Sequence, residues 1–164
     1  MDHYAAAARS ISLVSILTAT APGTVEDVLT EVREESGERG VLALTEAAVI
    51  LLRLAVDDLD AVLATSGSDR DAHASVIRVY DQYAQDEERA LSPLLPGLLD
   101  AAGGATLAHA QALTALVAQA GADTALVTGL AKATGMVLRL IEAGTGTPVD
   151  ELISDFEDRL LIRT

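Results

Sequence analysis

Residues 41 to 64 carry the pattern that most restricts how this chain can fold. From Val49 to Val56 the sequence is apolar almost all round a helix, with Arg53 as the one charged residue. Farther on, apolar residues keep a narrower stripe while three aspartates occupy the other positions. A helix that is apolar on all sides has to be enclosed by its neighbours. We therefore predict a central helix over about 41–64.

Helix start and stop signals divide the rest of the chain into further helices. Asp2 and Thr24 stand where the caps of two helices before the central one are expected, and Gly37 and Gly40 bracket the end of the second. Ser68 is expected to cap the helix after the central one, which Pro93 and Pro96 end before a short turn that leads to Gly103-Gly104. The last three helices are expected over about Thr106–Gln119, over about Asp123–Ala143, and from Pro148 to the C-terminus with Thr147 as cap.

These signals predict an all-α fold and one domain. No stretch alternates with a period of two, so no strand is expected. The prediction is a single compact bundle of about six to seven helices of mixed length around a buried central helix (about 41–64), with residues 1–164 forming one all-helical domain. At 164 residues, half of them hydrophobic, the chain can bury a core. Aromatic residues supply only 2%, so Ala, Leu, Val and Ile have to build that core.

The charge and the lack of cysteine restrict the function. A formal net charge of −14 offers no positive field to phosphate backbones or anionic membranes, so no nucleic acid and no membrane partner is expected. Without cysteine there are no disulfides, thiolate metal sites or cysteine nucleophiles. Lys132 is the one lysine among 11 basic residues, a composition typical of a GC-rich bacterial genome.

Two apolar stretches resemble membrane or export signals. The run Val41–Val56 is interrupted by Glu46 and Arg53 and is too short to span a bilayer. The run Ile11–Leu17 precedes Ala19-Thr20-Ala21, which resembles a cleavage site, but an acidic residue stands before it and serines dilute it. We therefore expect a cytoplasmic protein.

Paired carboxylates are the plausible source of chemistry. Acidic residues three apart share a helix face, and two such pairs on packed helices can hold Mg²⁺ with waters and a phosphate ligand. Glu31 and Glu34 form one candidate pair, and Asp57 and Asp60 form the other. The alternative interpretation of these acids is a solvated helix face.

The same acids resemble the motif of the all-α nucleotide pyrophosphohydrolases, the MazG-like enzymes. That motif pairs Glu-x-x-Glu on one helix with Glu-x-x-Asp on the next, and the resemblance covers about a quarter of the chain. It implies an Mg²⁺-dependent enzyme with Glu31, Glu34, Asp57 and Asp60 as metal ligands. The chain departs from the motif at Val49, which stands where the Asp is needed after Glu46.

The histidines, serines and glycines form no catalytic motif. His3, His73 and His109 make neither a His-Glu-x-x-His nor a Glu-x-x-His pattern, so no transition-metal site is expected. No Gly-x-Ser-x-Gly occurs. The turn Gly144–Thr147 lacks the lysine of a phosphate-binding loop and precedes an acidic first helical turn, which indicates a helix cap. We assign no catalytic residue and no resident cofactor.

Two segments suit contact with another protein. The helix over 106–119 carries Leu107, Leu113, Leu116 and Val117 among many alanines, and Leu160-Leu161-Ile162 lies near the end of the chain. Each can instead complete the core of the monomer. Residues 25–32 also resemble 149–156, which fits either a duplicated helical unit or two amphipathic helices of like composition.

The expected function is therefore protein–protein contact. We expect a bacterial helical domain that is non-catalytic and self-associates into a homo-oligomer. The first alternative is the Mg²⁺-dependent pyrophosphohydrolase-like enzyme. The second is an acidic inhibitor or immunity-type protein that neutralises a basic partner.

Overall fold

A computed structural model describes residues 1–83, 92–103, 107–120 and 124–162. Within these ranges every regular element is helical and no strand occurs, which confirms the all-α prediction. Seven α-helices are described, and a π-helical turn, Asp158–Ile162, follows the last of them. The helices are α1 (His3–Leu17), α2 (Val25–Thr65), α3 (Ala72–Tyr83), α4 (Leu95–Ala102), α5 (Leu107–Ala120), α6 (Thr124–Thr145) and α7 (Val149–Glu157).

The helix α2 is the centre of the bundle, as predicted. It contacts α1, α3, α4, α5 and α6. Between Val49 and Val56 only Ile50 is exposed, because neighbouring helices cover the other sides. Burial of apolar surface of this kind is the main term that stabilises a fold, at about 25 cal/mol per Å².

A glycine interrupts α2 where the sequence predicts a helix end. Gly37 has φ 62 and ψ −153, which is not helical and which residues with a Cβ rarely adopt. The prediction of two helices that meet at Gly37–Gly40 is therefore confirmed, although no loop separates them.

The helix α6 lies beside α2 and runs parallel to it. Near the beginnings of the two helices, Arg33 Nη2 lies 3.5 Å from Thr124 Oγ1. At their ends, a Cβ added to Gly144 would lie 3.3 Å from Val62 Cγ1. Both helices therefore end at the same end of the bundle.

Glycines on α6 allow two other helices to come close. A Cβ at Gly129 would overlap the hydroxyl group of Tyr80 on α3. A Cβ at Gly135 would lie 3.0 Å from Thr18 Cγ2, just after α1. A core of small side chains requires such close approach, because few bulky groups are present to fill wider gaps.

Two predictions about the middle of the chain are wrong in detail. Asp71 caps α3 in place of Ser68, because its Oδ1 accepts from the backbone N–H of His73 at 3.0 Å. The predicted short turn after Pro93 contains α4, whose buried side includes Leu95, Leu98 and Leu99. Pro96 is tolerated in the first turn of this helix because the N–H groups there have no helical partner.

The start of α7 also differs from the prediction. Pro148 occupies the N-cap position of α7, and the residue at that position makes no side-chain hydrogen bond to the first turn. Glu142 of α6 takes that role, because its Oε2 accepts from the backbone N–H of Val149 at 2.9 Å. Thr147 was predicted as the cap and is not.

Within the described residues, α6 is the one helix long and apolar enough to cross a membrane. In the bundle, 61% of its most apolar window is buried. Length and apolar composition are shared by spanning helices and core helices, and the burial of α6 is that of a core helix.

The end of α1 generates a stability prediction. Ala19 follows this helix with φ 59, the left-handed conformation that glycine adopts without penalty. That conformation costs a residue with a Cβ roughly 1–2 kcal/mol. We expect Ala19→Gly to raise the free energy of unfolding by up to about 1 kcal/mol, since glycine also increases the entropy of the unfolded chain.

Thermal unfolding followed by circular dichroism measures this effect. The control is Ala118→Gly on the exposed side of α5, which should lower stability by about 0.5–1 kcal/mol. A lower Tm for Ala19→Gly would contradict the prediction.

Candidate functional site

Glu31, the first predicted metal ligand, pairs with an arginine from another helix. Arg9 of α1 donates to Glu31 Oε2 and, through Nη2, to Glu35 Oε1 at 2.9 Å. Glu34 lies exposed on the same part of α2. Partly exposed pairs of this kind contribute about 0–1 kcal/mol each. These acids join α1 to the first part of α2.

Asp57, in the second predicted pair, lies in a charged network between three helices. Arg53 Nε donates to both Asp57 carboxylate oxygens at 3.0 and 3.1 Å, and His73 Nε2 of α3 lies 3.4 Å from Asp57 Oδ1. Arg53 Nη1 also donates to the Leu99 carbonyl at 2.8 Å, near the end of α4. The same carbonyl accepts from the backbone N–H of Gly103 at 3.2 Å, so Arg53 supplies it with a second donor and places a cation at the negative end of the helix dipole.

The structure does not bring the two predicted pairs to one centre. Glu31 and Asp57 each belong to a separate network, and Asp60 is exposed. Within the described ranges, no group of three or more His, Cys, Asp or Glu side chains is placed to hold a metal ion. The Mg²⁺-dependent enzyme stays a prediction from sequence, and this arrangement does not favour it.

The turn between α6 and α7 does not cap α7 with a side chain of its own. The carboxylate of Glu142 accepts a hydrogen bond from the Val149 N–H group, and the first turn of α7 carries Asp150 and Glu151. These three carboxylates would repel a phosphate. The side chains of His3 and His109 lie outside the described residues.

The predicted contact segment on α5 faces inward where it is described. Leu113 and Val117 are buried and Leu116 is partly buried, and the helix packs on α4 and α2. The Leu107 side chain lies outside the described residues. The apolar side of α5 thus completes the core of the monomer.

The predicted contact segment at the C-terminus is held to α2 by Arg159. Its Nη1 donates to Asp58 Oδ2 at 2.6 Å, and its guanidinium lies 5.5 Å from the centre of the Phe156 ring. The hydrogen bond to Asp58 raises the pKa of Arg159, so this group keeps its charge at any ordinary pH. Leu160 is partly buried, and the side chains of Leu161 and Ile162 lie outside the described residues.

The part of the chain that the structure describes has several surface grooves, among them one of about 570 Å³ beside α3 whose lining includes Arg78 and Asp81. A second, of about 640 Å³, lies between α1 and the beginning of α2 and has a mixed lining that includes Arg9, Ser12, Asp27 and Glu31. Arg9 and Glu31 pair with each other, and Asp27 and Glu157 leave this lining with a net negative charge.

Another groove, which we call the α2–α6 groove, lies between the ends of α2 and α6 and has a volume of about 490 Å³. None of its lining residues is charged. Leu140 on its edge is 44% exposed, which is high for a large apolar side chain. The lining is formed by Leu59, Ala61, Val62, Leu63, Thr65, Ser66, Leu140, Gly144 and Thr145.

The surroundings of the α2–α6 groove are strongly negative. Both helices end there, and neither carries a basic residue in its last turn. A helix C-terminus carries about half an elementary negative charge. Residues 57–71, which form the end of α2 and the following turn, hold five aspartates and one arginine. Asp57 and Asp58 pair with arginines from outside this segment, and Asp60, Asp69 and Asp71 are exposed. The groove is thus an uncharged surface within an acidic one.

Sequence reasoning missed Leu140, although a signal was present. Met136, Leu140 and Gly144 are spaced four residues apart and form a stripe on α6. That stripe lies beside the buried one formed by Val137 and Ile141. A second apolar stripe on a helix whose core side is already complete indicates a surface available for contact.

No protein-family model, no curated protein and no solved structure matches this chain.

The Arg53 network generates a test by mutation. A Cβ at Gly103 would overlap the Arg53 guanidinium, which would have to leave the Leu99 carbonyl. We expect Gly103→Ala to destabilise the fold by about 1.5 kcal/mol, the lower end of the range for a hydrogen bond to a charged group.

A double-mutant cycle in urea isolates this contact. In an Arg53→Ala background, Gly103→Ala should cost less, by at least about 0.5 kcal/mol, because the guanidinium is already gone. Equal costs in the two backgrounds would show that Gly103 acts through something other than Arg53.

Proposed function

We propose that this is a non-catalytic domain that acts through protein–protein contact at the α2–α6 groove, and that two copies associate through this groove when no other partner is present. The observation that supports the proposal is the exposed Leu140 beside an uncharged groove on an otherwise acidic surface. Exposed apolar surface of this kind marks sites of association.

Self-association is supported by the position of Leu140 next to the groove. In a two-fold arrangement the same surface is used by both copies, so each Leu140 can enter the groove of the other. Because Leu140 is 44% exposed, covering its remaining surface contributes about 1 kcal/mol, roughly half of the value for a leucine buried completely. Two such contacts work against the repulsion between chains that each carry a net charge of −14. We therefore expect weak association that becomes tighter as salt screens the charges.

Sedimentation velocity over a range of protein concentrations tests self-association. The dimer fraction should rise when NaCl is increased from about 20 to about 500 mM, since the Debye length shortens. Leu140→Ser should weaken the dimer by at least about tenfold, which corresponds to 1.4 kcal/mol.

A matched control is Ile50→Ser, which changes another exposed apolar residue on α2 outside the groove. It should leave the dimer unchanged. A chain that stays monomeric at all concentrations and salts, or an equal effect of the two variants, would contradict self-association through this groove.

The Mg²⁺-dependent alternative has its own test by thermal shift. A ligand that binds only the folded state at a hundred times its Kd stabilises it by about 2.7 kcal/mol. With Mg²⁺ or Mn²⁺ and nucleoside triphosphates we expect no change in Tm beyond that caused by salt alone. A rise that Glu34→Gln abolishes would support the enzyme instead.

A further inference from the structure

We infer that the partner favoured by the α2–α6 groove is a cationic amphipathic helix, whose apolar stripe enters the groove and whose Lys or Arg side chains face the acidic helix ends around it. This inference rests on the proposed function, because it names the chemistry of the partner at that same groove.

Charge complementarity selects this partner. The ends of α2 and α6 present two negative helix termini side by side, with no basic residue in either last turn. The one arginine next to Leu140 is already engaged, since Arg139 donates to the Thr18 carbonyl at 2.9 Å and to Glu142 at 3.3 Å. Asp60, between two groove residues, is exposed. Cations are therefore attracted to the edges of the groove.

The lining of the groove indicates which part of the partner contacts the centre of the groove. Because all of the lining residues are uncharged, the centre of the contact has to be apolar to avoid burying unpaired charge. A helix with apolar residues at positions i, i+3, i+4 and i+7 matches such a groove and carries its charges on the other side. Lysine and arginine stems can also lie along apolar surface while their charged ends reach the carboxylates.

A second copy of this chain fits the same groove less well. Two copies would bring together like charges, because Asp60, Asp69 and Asp71 are exposed on each. Like charges across an interface oppose association at low salt. A cationic helix reverses that effect, so it should displace the self-contact.

Fluorescence anisotropy with labelled peptides tests the inference on the full chain. The probe is an amphipathic peptide of about 18 residues of Leu, Ala and Lys, a length that spans about 27 Å as a helix. One matched peptide carries Glu for every Lys, and another has the same composition with its leucines scrambled. The cationic amphipathic peptide should bind, and its affinity should fall at least about tenfold when NaCl rises from about 20 to about 300 mM.

Variants of the chain locate the binding. Leu140→Ser should weaken binding of the cationic peptide at least about fivefold at both salt concentrations, because it removes apolar contact without changing charge. Asp60→Asn should weaken binding about two- to threefold at low salt only. Glu34→Gln, on the first part of α2 and outside the groove, should leave the affinity unchanged.

The outcomes separate this inference from the proposed function. Equal binding of the scrambled peptide, or no effect of Leu140→Ser, would show general attraction to an acidic protein and overturn the inference. Equal binding of the Glu peptide would overturn its charge component. If no peptide binds while Leu140→Ser still abolishes salt-promoted dimers, the inference fails and the proposed function stands. If Leu140→Ser changes neither measurement, both fail.

Discussion

The parallel packing of α6 on α2 is the contact on which the rest of the structure depends. An α2 that is apolar nearly all round requires neighbours on every side, and with few aromatic residues those neighbours have to come close. Gly129 and Gly135 give α6 the shape for this, since they admit α3 on one side and the end of α1 on another. The same parallel direction places two helix ends together and creates the α2–α6 groove.

The charged side chains have two different placements: arginines join helices, and most acidic residues face the solvent. Arg9 links α1 to α2, Arg53 links α2 to α4, Arg139 of α6 holds the end of α1, and Arg159 holds the C-terminal turn to α2. Four of the few basic residues are thus used inside the chain. Each of these arginines also pairs with a carboxylate, and the net charge of −14 leaves a predominantly acidic surface on which the uncharged groove stands out.

Much of the fold can be predicted from sequence because it depends on local signals. The apolar run of α2, the caps Asp2 and Thr24 and the break at Gly37 are properties of adjacent residues. The errors occur where a distant group decides: Glu142 reaches across a turn to cap α7, and burial of Leu95, Leu98 and Leu99 turns an expected loop into α4.

The candidate site was harder to predict for the same reason. Glu31 and Asp57 look like equivalent ligands in sequence, but Arg9 and Arg53 engage them at separate places. The exposure of Leu140 depends on which side of α6 its neighbours leave uncovered, and that follows only from the packing.

The break at Gly37 also determines how the protein opens. A continuous helix transmits order through successive i to i−4 hydrogen bonds, whereas a residue outside helical geometry uncouples the two sides. The first part of α2, with Val28, Leu29 and Val32 buried and with Arg9 pairing it to α1, therefore forms a cooperative unit with that helix. In native-state hydrogen exchange, amides of this unit should exchange by a local opening of lower free energy than those of residues 41–59. The two parts of α2 can thus differ in local stability within one bundle.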